Sequence, residues 1–339
     1  MTYKVTYKEE LQNKNAEILQ RRFNEESIPV FIRRYFIDLD SKAGALKYWG
    51  VIRDCIIWFM DNQVIDKKPL ENIVPDDFID VDSQDIKLYL LDKEQQGLTK
   101  STVSTKKNIL CSFWEYLVNS NKCSVRQNVV KITKYKGKSS NYNLVKKLPS
   151  EQQIYEMESK INKKPDLFTR TRNYSVLQVL KGSGLRECEL AGLNMDDLFL
   201  DKEAYESVRE VMPCVKIIGK RAYSEEEARL VCLTGNAVKI LKEWCDFRQK
   251  MCDKMNISTD AVFVNKNGTR MKEKNIYDMF VTYGNGMTPH MIRHWYATQL
   301  ANAGGVEFAQ QQLGHSSVNT TLGYYAKISG SMIDVMRNM

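Results

Sequence analysis

The sequence predicts a mainly α-helical chain in two domains, the second of them mixed but mostly α with a small antiparallel β-sheet. Three observations predict it. Apolar residues recur at helical spacing in both halves, a basic stretch without hydrophobic period separates them, and β-like runs occur only in the second half. With 339 residues, 43% of them hydrophobic, the chain has enough material for two cores.

Residues 1–24 read as a charged helical arm with few core-forming side chains. The first compact domain is expected over 25–121. After Ile28-Pro29, the residues Ile32, Tyr35, Phe36 and Leu39 form one apolar stripe at i, i+3, i+4 and i+7. Tyr48, Val51, Ile52, Cys55, Ile56 and Phe59 keep the same period. A third helix is expected over Asp82 to Lys93 and a fourth from near Thr99. On the fourth, Val103, Leu110, Phe113, Trp114 and Leu117 face inward, leaving Lys100, Lys106 and Lys107 for solvent or a ligand. Four amphipathic helices with short links make a compact helical domain.

Residues 122–147 carry eight basic side chains and no acidic one, interleaved with Tyr135, Gly137, Ser139, Ser140 and Tyr142. With no apolar period, the stretch reads as an exposed interdomain linker. The second domain is expected over 148–325. It opens at Leu148-Pro149-Ser150, where Ser150 and Gln153 form a capping-box pattern. A helical pattern through Tyr174, Leu177 and Leu180 breaks at Gly182-Ser183-Gly184 and resumes at Leu185. Pro213 to Gly219 and Ala228 to Thr234 read as strands, with a shorter one at Ala261 to Asn265. Ala237, Leu241, Trp244 and Cys245 then share a helical face.

The formal net charge of +8 is compatible with a polyanionic partner. No apolar run approaches a membrane-spanning length, and the opening MTYKVTYKEELQNKN is unlike a secretory signal. Eight dispersed cysteines without a CxxC pair argue for free thiols in a reducing, cytoplasmic setting rather than a zinc site.

The chemistry-bearing residues lie in the second domain. The three histidines, His290, His294 and His315, fall within 26 residues. TPHMIRHW sets His290 and Arg293 three apart, on one face of a helix begun by Pro289, while His294 reads as a packing group pointing elsewhere. His315 follows a glycine in QLGHSS, and Tyr324 comes nine residues later. In GSGLRECEL, Arg186 follows the glycine break, and Glu189, one turn on, is spaced to hold its guanidinium. Two guanidinium forks suit the oxygens of a phosphodiester and its pentacoordinate transition state. A tyrosine hydroxyl, with a pKa of about 10, needs a base such as imidazole, and the leaving oxygen needs an acid such as lysine. The product would be a covalent phosphotyrosine that conserves the energy of the broken bond, so rejoining needs no nucleotide.

The order Arg186, Lys220, His290-x-x-Arg293, His315, Tyr324 resembles the catalytic signature of the tyrosine recombinases, the lambda-integrase and Xer-like site-specific enzymes. GLRECEL, VKIIGK, PHMIRHWYATQL, LGHSS and TTLGYY occur in the family's order. Upstream, FIRRYFIDLDSK and STVSTKKNILCSFWEYL are similar to its SAM-like, helical core-binding domain. The resemblance implies that Tyr324 attacks the DNA, joins the 3′-phosphate and frees a 5′-hydroxyl. It makes Arg186 and Arg293 the clamp on the scissile phosphate, His315 a further hydrogen bond to it, His290 an aid to proton transfer at the tyrosine, and Lys220 the acid, with Glu189 supporting Arg186. Tyr325 adjoins the nucleophile, but the spacing from His315 selects Tyr324. Lys216 is the runner-up to Lys220, because the hairpin after Gly219 is the long, acidic RAYSEEEAR.

The resemblance further implies double-stranded DNA as partner, a homotetramer on two recombination sites, room for an accessory DNA-bending or directionality factor, and no metal or other cofactor. Lys100, Lys106 and Lys107, with Lys134, Lys136 and Lys138 of the basic stretch, are the candidate DNA contacts. Residues 326–339 read as an apolar segment suited to docking on a neighbouring protomer or packing at home. The alternatives are type IB topoisomerase-like relaxation and a catalytically silent DNA-binding accessory protein; a zinc hydrolase lacks the HExxH spacing.

Overall fold

The computed structural model describes residues 6–39, 41–120, 123–135, 148–219, 228–304 and 306–314. The chain divides into two compact units, Met1–Asn143 and Leu144–Met339. Among the described residues no helix is long and apolar enough to cross a membrane, and the eight cysteines are free.

In the first unit, α1 (Tyr7–Glu25) begins at a capping box in which Thr6 and Glu9 accept each other's backbone N–H. It buries Leu19 and stacks Phe23 on Phe36 of α2 (Val30–Ile37). The expected arm is therefore part of this unit's core, because its few apolar residues lie on one side of the helix. Then come α3 (Lys42–Asp61), α4 (Ser83–Gln95) and α5 (Lys100–Asn119), whose N-termini are capped by Ser41, Asp82 and Thr99. Each cap accepts one of the amides a helix start leaves unpaired. Every α5 residue expected to face inward is buried, and Phe78, Phe113 and Trp114 meet edge to face.

Residues 123–135, expected as exposed linker, pack on this unit instead. Cys123, Val125, Val130 and Thr133 are buried. Asn128 caps the single turn α6 (Val129–Ile132), and its amide donates to Cys111 O and Glu115. Tyr135 hydrogen-bonds Glu94. One turn of helix is too short to show a period, which is why the segment reads as loop.

The second unit opens with α7 (Glu151–Asn162), started by the expected Ser150–Gln153 capping box. Next, α8 (Leu167–Ser183) runs through Gly182 and stops at Gly184, whose φ of +63° ends the helix. A Cβ at Gly184 would collide with Tyr296 and Leu313, so glycine serves both the turn and the close approach of chain beyond it. After α9 (Glu187–Gly192) come β1 (Leu198–Phe199), α10 (Lys202–Ser207), β2 (Cys214–Ile218) and β3 (Ala228–Cys232). The sheet is antiparallel in the order β1-β2-β3, with Val215 opposite Val231 and Ile217 opposite Arg229.

The chain continues with α11 (Gly235–Met255), α12 (Glu273–Tyr283), α13 (Pro289–Gly304) and α14 (Val306–Leu313). Ala261 to Asn265 makes two isolated bridges rather than a strand of the sheet. The carbonyls of Ala261 and Val262 are taken by Arg248 Nε and Trp244 Nε1 of α11, at 2.8 and 2.9 Å.

Candidate active site

The site is built around Glu189, the third residue of α9, whose side chain is 1% exposed. Its Oε2 accepts the Arg186 backbone N–H at 2.8 Å, as an N3 carboxylate does in a capping box. Its Oε1 accepts Arg186 Nη1 at 2.7 Å. Arg229 Nη2 lies 3.4 Å from Oε1 and Arg293 Nη1 lies 3.6 Å from Oε2. Three guanidinium groups thus share one buried carboxylate and leave the cluster positively charged.

Arg293, on α13, is buried and donates from Nη1 to Gly184 O at 2.5 Å and from Nη2 to Leu313 O at 2.6 Å. Arg229 donates to Gln312 O at 2.6 Å and to Leu313 O at 3.1 Å. The last carbonyls of a helix have no partner within it, and two arginines take the final two of α14, those of Gln312 and Leu313. Arg186 and Arg229 are the cluster's more accessible members, each with about a quarter of its side chain exposed.

Burial works against the charge on Glu189, but Arg229, Arg293 and the Arg186 amide outweigh it and hold its carboxyl below the usual range. Burial pulls the Arg293 guanidinium down to about 10, Glu189 opposing and the neighbouring arginines adding to the shift. Burial lowers Arg229 in the same way. At about 10, Arg293 stays charged at neutral pH.

His290, at the start of α13, is exposed, and His294 is buried. Their rings meet edge to face with centroids 4.1 Å apart. The expectation that His294 points away from His290 is therefore corrected: residues four apart stand over one another on a helix. Its reading as a buried group stands.

Of the sequence-predicted site, Arg186, Glu189 and Arg293 come together around one carboxylate, and His290 shares α13 with Arg293. Lys220, His315, Tyr324 and Tyr325 lie outside the described residues, as do Glu225 to Glu227, Lys136, Lys138 and the segment 326–339. Lys216 sits on β2 with Nζ 3.6 Å from Asp197. Lys100 and Lys134 are exposed. Lys106 and Lys107, expected on an open polar face, are half-buried. Lys106 pairs with Asp54 at 2.9 Å, and Lys107 donates to Thr133 O at 2.8 Å. Among the described residues no cluster of His, Cys, Asp or Glu is placed to hold a metal ion.

Arg229 is the site residue that sequence reasoning missed. Its signal is the strand alternation. Arg229 lies two residues from Val231 and opposite Ile217, both buried, so the register puts a guanidinium on the sheet's apolar face.

Comparison with known proteins matches residues 150–331 to the phage integrase family. The chain is 36% identical over 160 residues to a tyrosine recombinase XerC of Neisseria gonorrhoeae, covering 45% of this chain and 46% of that relative. It thus spans about half the length of the curated relatives at that level of identity. With the XerC of Shigella dysenteriae it is 28% identical over 250 residues, 72% of this chain and 75% of the relative. In fold it is similar to the XerH site-specific recombinase bound to a palindromic difH substrate in a post-cleavage complex. The TM-score is 0.62 at 19% identity, over 87% of this chain and 80% of that one.

Proposed function

The chain belongs to the phage integrase family, and from that premise we propose that it is a site-specific DNA recombinase working through a covalent 3′-phosphotyrosine at Tyr324. The observation that carries this reading is the gathering of Arg186, Arg229 and Arg293 about the single buried carboxylate of Glu189. The charge of Arg186 and Arg293, fixed by that carboxylate, complements a phosphodiester, and complements still better the extra negative charge of its transition state.

In the proposed reaction the Tyr324 hydroxyl attacks phosphorus as His290 assists departure of its proton. The bond from phosphorus to the 5′-oxygen breaks, and Lys220 supplies that oxygen's proton. Arg186 and Arg293, with His315, stabilise the phosphoryl oxygens. One phosphodiester is exchanged for one phosphotyrosine, so the reverse attack by a 5′-hydroxyl rejoins DNA without an added energy source. Residues 25–121 act as the core-binding domain and 148–325 as the catalytic domain. Exposed Lys100 and Lys134 suit phosphate contacts. In this reading the active species is a homotetramer on two duplex sites.

The test is a nicked suicide duplex carrying the site that the purified protein selects from random sequence. Wild type accumulates a covalent adduct, Tyr324→Phe accumulates none, and Tyr325→Phe still forms it. An adduct that persists in Tyr324→Phe removes the assignment. Binding by wild type with no adduct makes the chain an accessory protein, and efficient relaxation of plasmid lacking the site makes it a topoisomerase.

A further inference from the structure

The apolar face of a small sheet is an expensive place for a guanidinium, since burial penalises its charge. Val215, Ile217 and Val231 fill that face on β2 and β3, yet Arg229 stands among them. What it gains there is specific. Nη1 donates to Gln312 O at 2.6 Å, Nη2 donates to Leu313 O at 3.1 Å, and Glu189 Oε1 lies 3.4 Å from Nη2. A planar fork can serve several acceptors at fixed angles, which a single ammonium cannot.

The same strand grips the same helix end a second time. The Gln312 side chain accepts from Cys232 N at 3.3 Å and donates to Cys232 O at 2.7 Å, taking the place a further strand would take. Gly314 then turns the chain with φ +62°, and a Cβ there would lie 2.5 Å from Arg229 Nε. The residue that leads into position 315 is therefore packed directly on this guanidinium.

Resting on the recombinase reading above, we propose that Arg229 is a positioning residue: it holds the terminal carbonyls of α14 against the Glu189 cluster, and so fixes the helix end that precedes His315 in sequence relative to Arg186 and Arg293. Arg293 shares Leu313 O with it, and Arg186 shares Glu189 Oε1. The arginines expected to touch the phosphate and the helix end that leads to His315 are in this way set against one another through Arg229. The residue itself touches no reacting atom in the proposal.

The test uses the full chain with Arg229→Gln and Arg229→Lys, each alone and combined with His315→Ala. Single-turnover adduct formation is followed over hours on the nicked duplex, with affinity measured on an uncleavable duplex. Arg229→Gln should slow adduct formation about 100-fold, the scale of an ångström-sized misplacement, and leave duplex affinity within about threefold. Arg229→Lys should recover roughly a tenth of wild-type rate, since an ammonium still reaches one carbonyl. In the His315→Ala background Arg229→Gln should cost less than about threefold more, the non-additivity expected of residues acting through one another. Hydrogen exchange should quicken in the peptide spanning 309–316 and stay unchanged in α8 and α11.

A rate within threefold of wild type, a full multiplicative loss in the double variant, or unchanged exchange at 309–316 overturns the positioning role. Those results leave the recombinase reading intact as long as wild type forms its Tyr324-dependent adduct. If wild type forms none, both fall.

Discussion

Two carboxylates in this molecule gather cations around them, to different ends. Asp54, on α3, accepts from Lys106 Nζ of α5 at 2.9 Å, and from Tyr89 Oη and Lys93 Nζ of α4 at 2.8 and 3.0 Å. Glu189 gathers Arg186, Arg229 and Arg293. Asp54 is a third exposed, and its ring of donors ties three helices together. Glu189 is buried, and its donors run on to the main-chain carbonyls of Gly184, Gln312 and Leu313. Lysine offers a point charge that ends where it lands, whereas arginine offers a fork with donors to spare. The first cluster is a staple; the second fixes a helix end and leaves positive charge available.

Glu189→Gln should separate them most sharply. Glutamine keeps the shape and the capping-box acceptor for the Arg186 amide, but leaves three guanidinium groups in a poorly solvated site without their counter-charge. Removing one partner of a buried ionic set costs about 3–5 kcal/mol. Hydrogen exchange should show that loss in peptides of α9, β3 and α14, with the first unit's peptides unchanged. A loss under about 1 kcal/mol would mean that the carboxylate is not the keystone holding the three arginines together.

Asp54→Asn should cost less, about 2 kcal/mol, read from exchange in α3, α4 and α5. Lys93 is nearly buried and would lose its partner, but water screens a carboxylate that is a third exposed. Equal costs at Asp54 and Glu189 would erase the distinction between staple and keystone.

Acid should expose both clusters in one direction. Burial opposes the charge on Asp54, but hydrogen bonds from Lys106, Tyr89 and Lys93 outweigh it, so its pKa, like that of Glu189, lies below the ordinary value. A carboxylate depressed in the folded state contributes stability that is fully present above its unfolded value. That contribution is lost as pH falls through the lower folded value. Urea midpoints should therefore hold level above the ordinary carboxylate values of 4.5 for Glu and 3.8 for Asp, and fall below them. The Glu189→Gln chain should show a shallower acid limb in its second unit. An unchanged limb would show that another acid governs it.

The sequence makes one kind of information in these clusters legible and hides another. Asp82, Thr99 and Ser150 announce their helices because each cap accepts an amide within three residues. The Arg186–Glu189 pair is legible for the same reason, one turn apart on a single element. His290 and His294 also stand one turn apart, and reading only the i,i+3 partner hides their contact. Arg229 depends on sheet register and on a helix end some 80 residues away, neither of which a local pattern contains. Lys106 and Lys107 fail for the same reason. A polar helix face looks open until Asp54 and Thr133 arrive from other elements. Chain-local physics is visible in sequence; long-range pairing is not.

The smallest expected effect tests that last point directly. If Lys106 were a phosphate contact, neutralising it would shorten the salt dependence of duplex binding by about one unit of slope, as one fewer counterion is released. Its ammonium is instead held by Asp54 within the fold, so reaching a phosphate would require breaking that pair and leaving Asp54 short of a donor. Lys106→Gln should therefore leave the slope of affinity against salt unchanged and cost only about 1 kcal/mol of stability. Lys100→Gln, on the exposed first turn of α5, should reduce the slope by about one while leaving stability within about 0.5 kcal/mol. A slope change at Lys106 equal to that at Lys100 would show that the Asp54 staple opens on DNA, and would move that cluster from the architecture of the first unit to its interface.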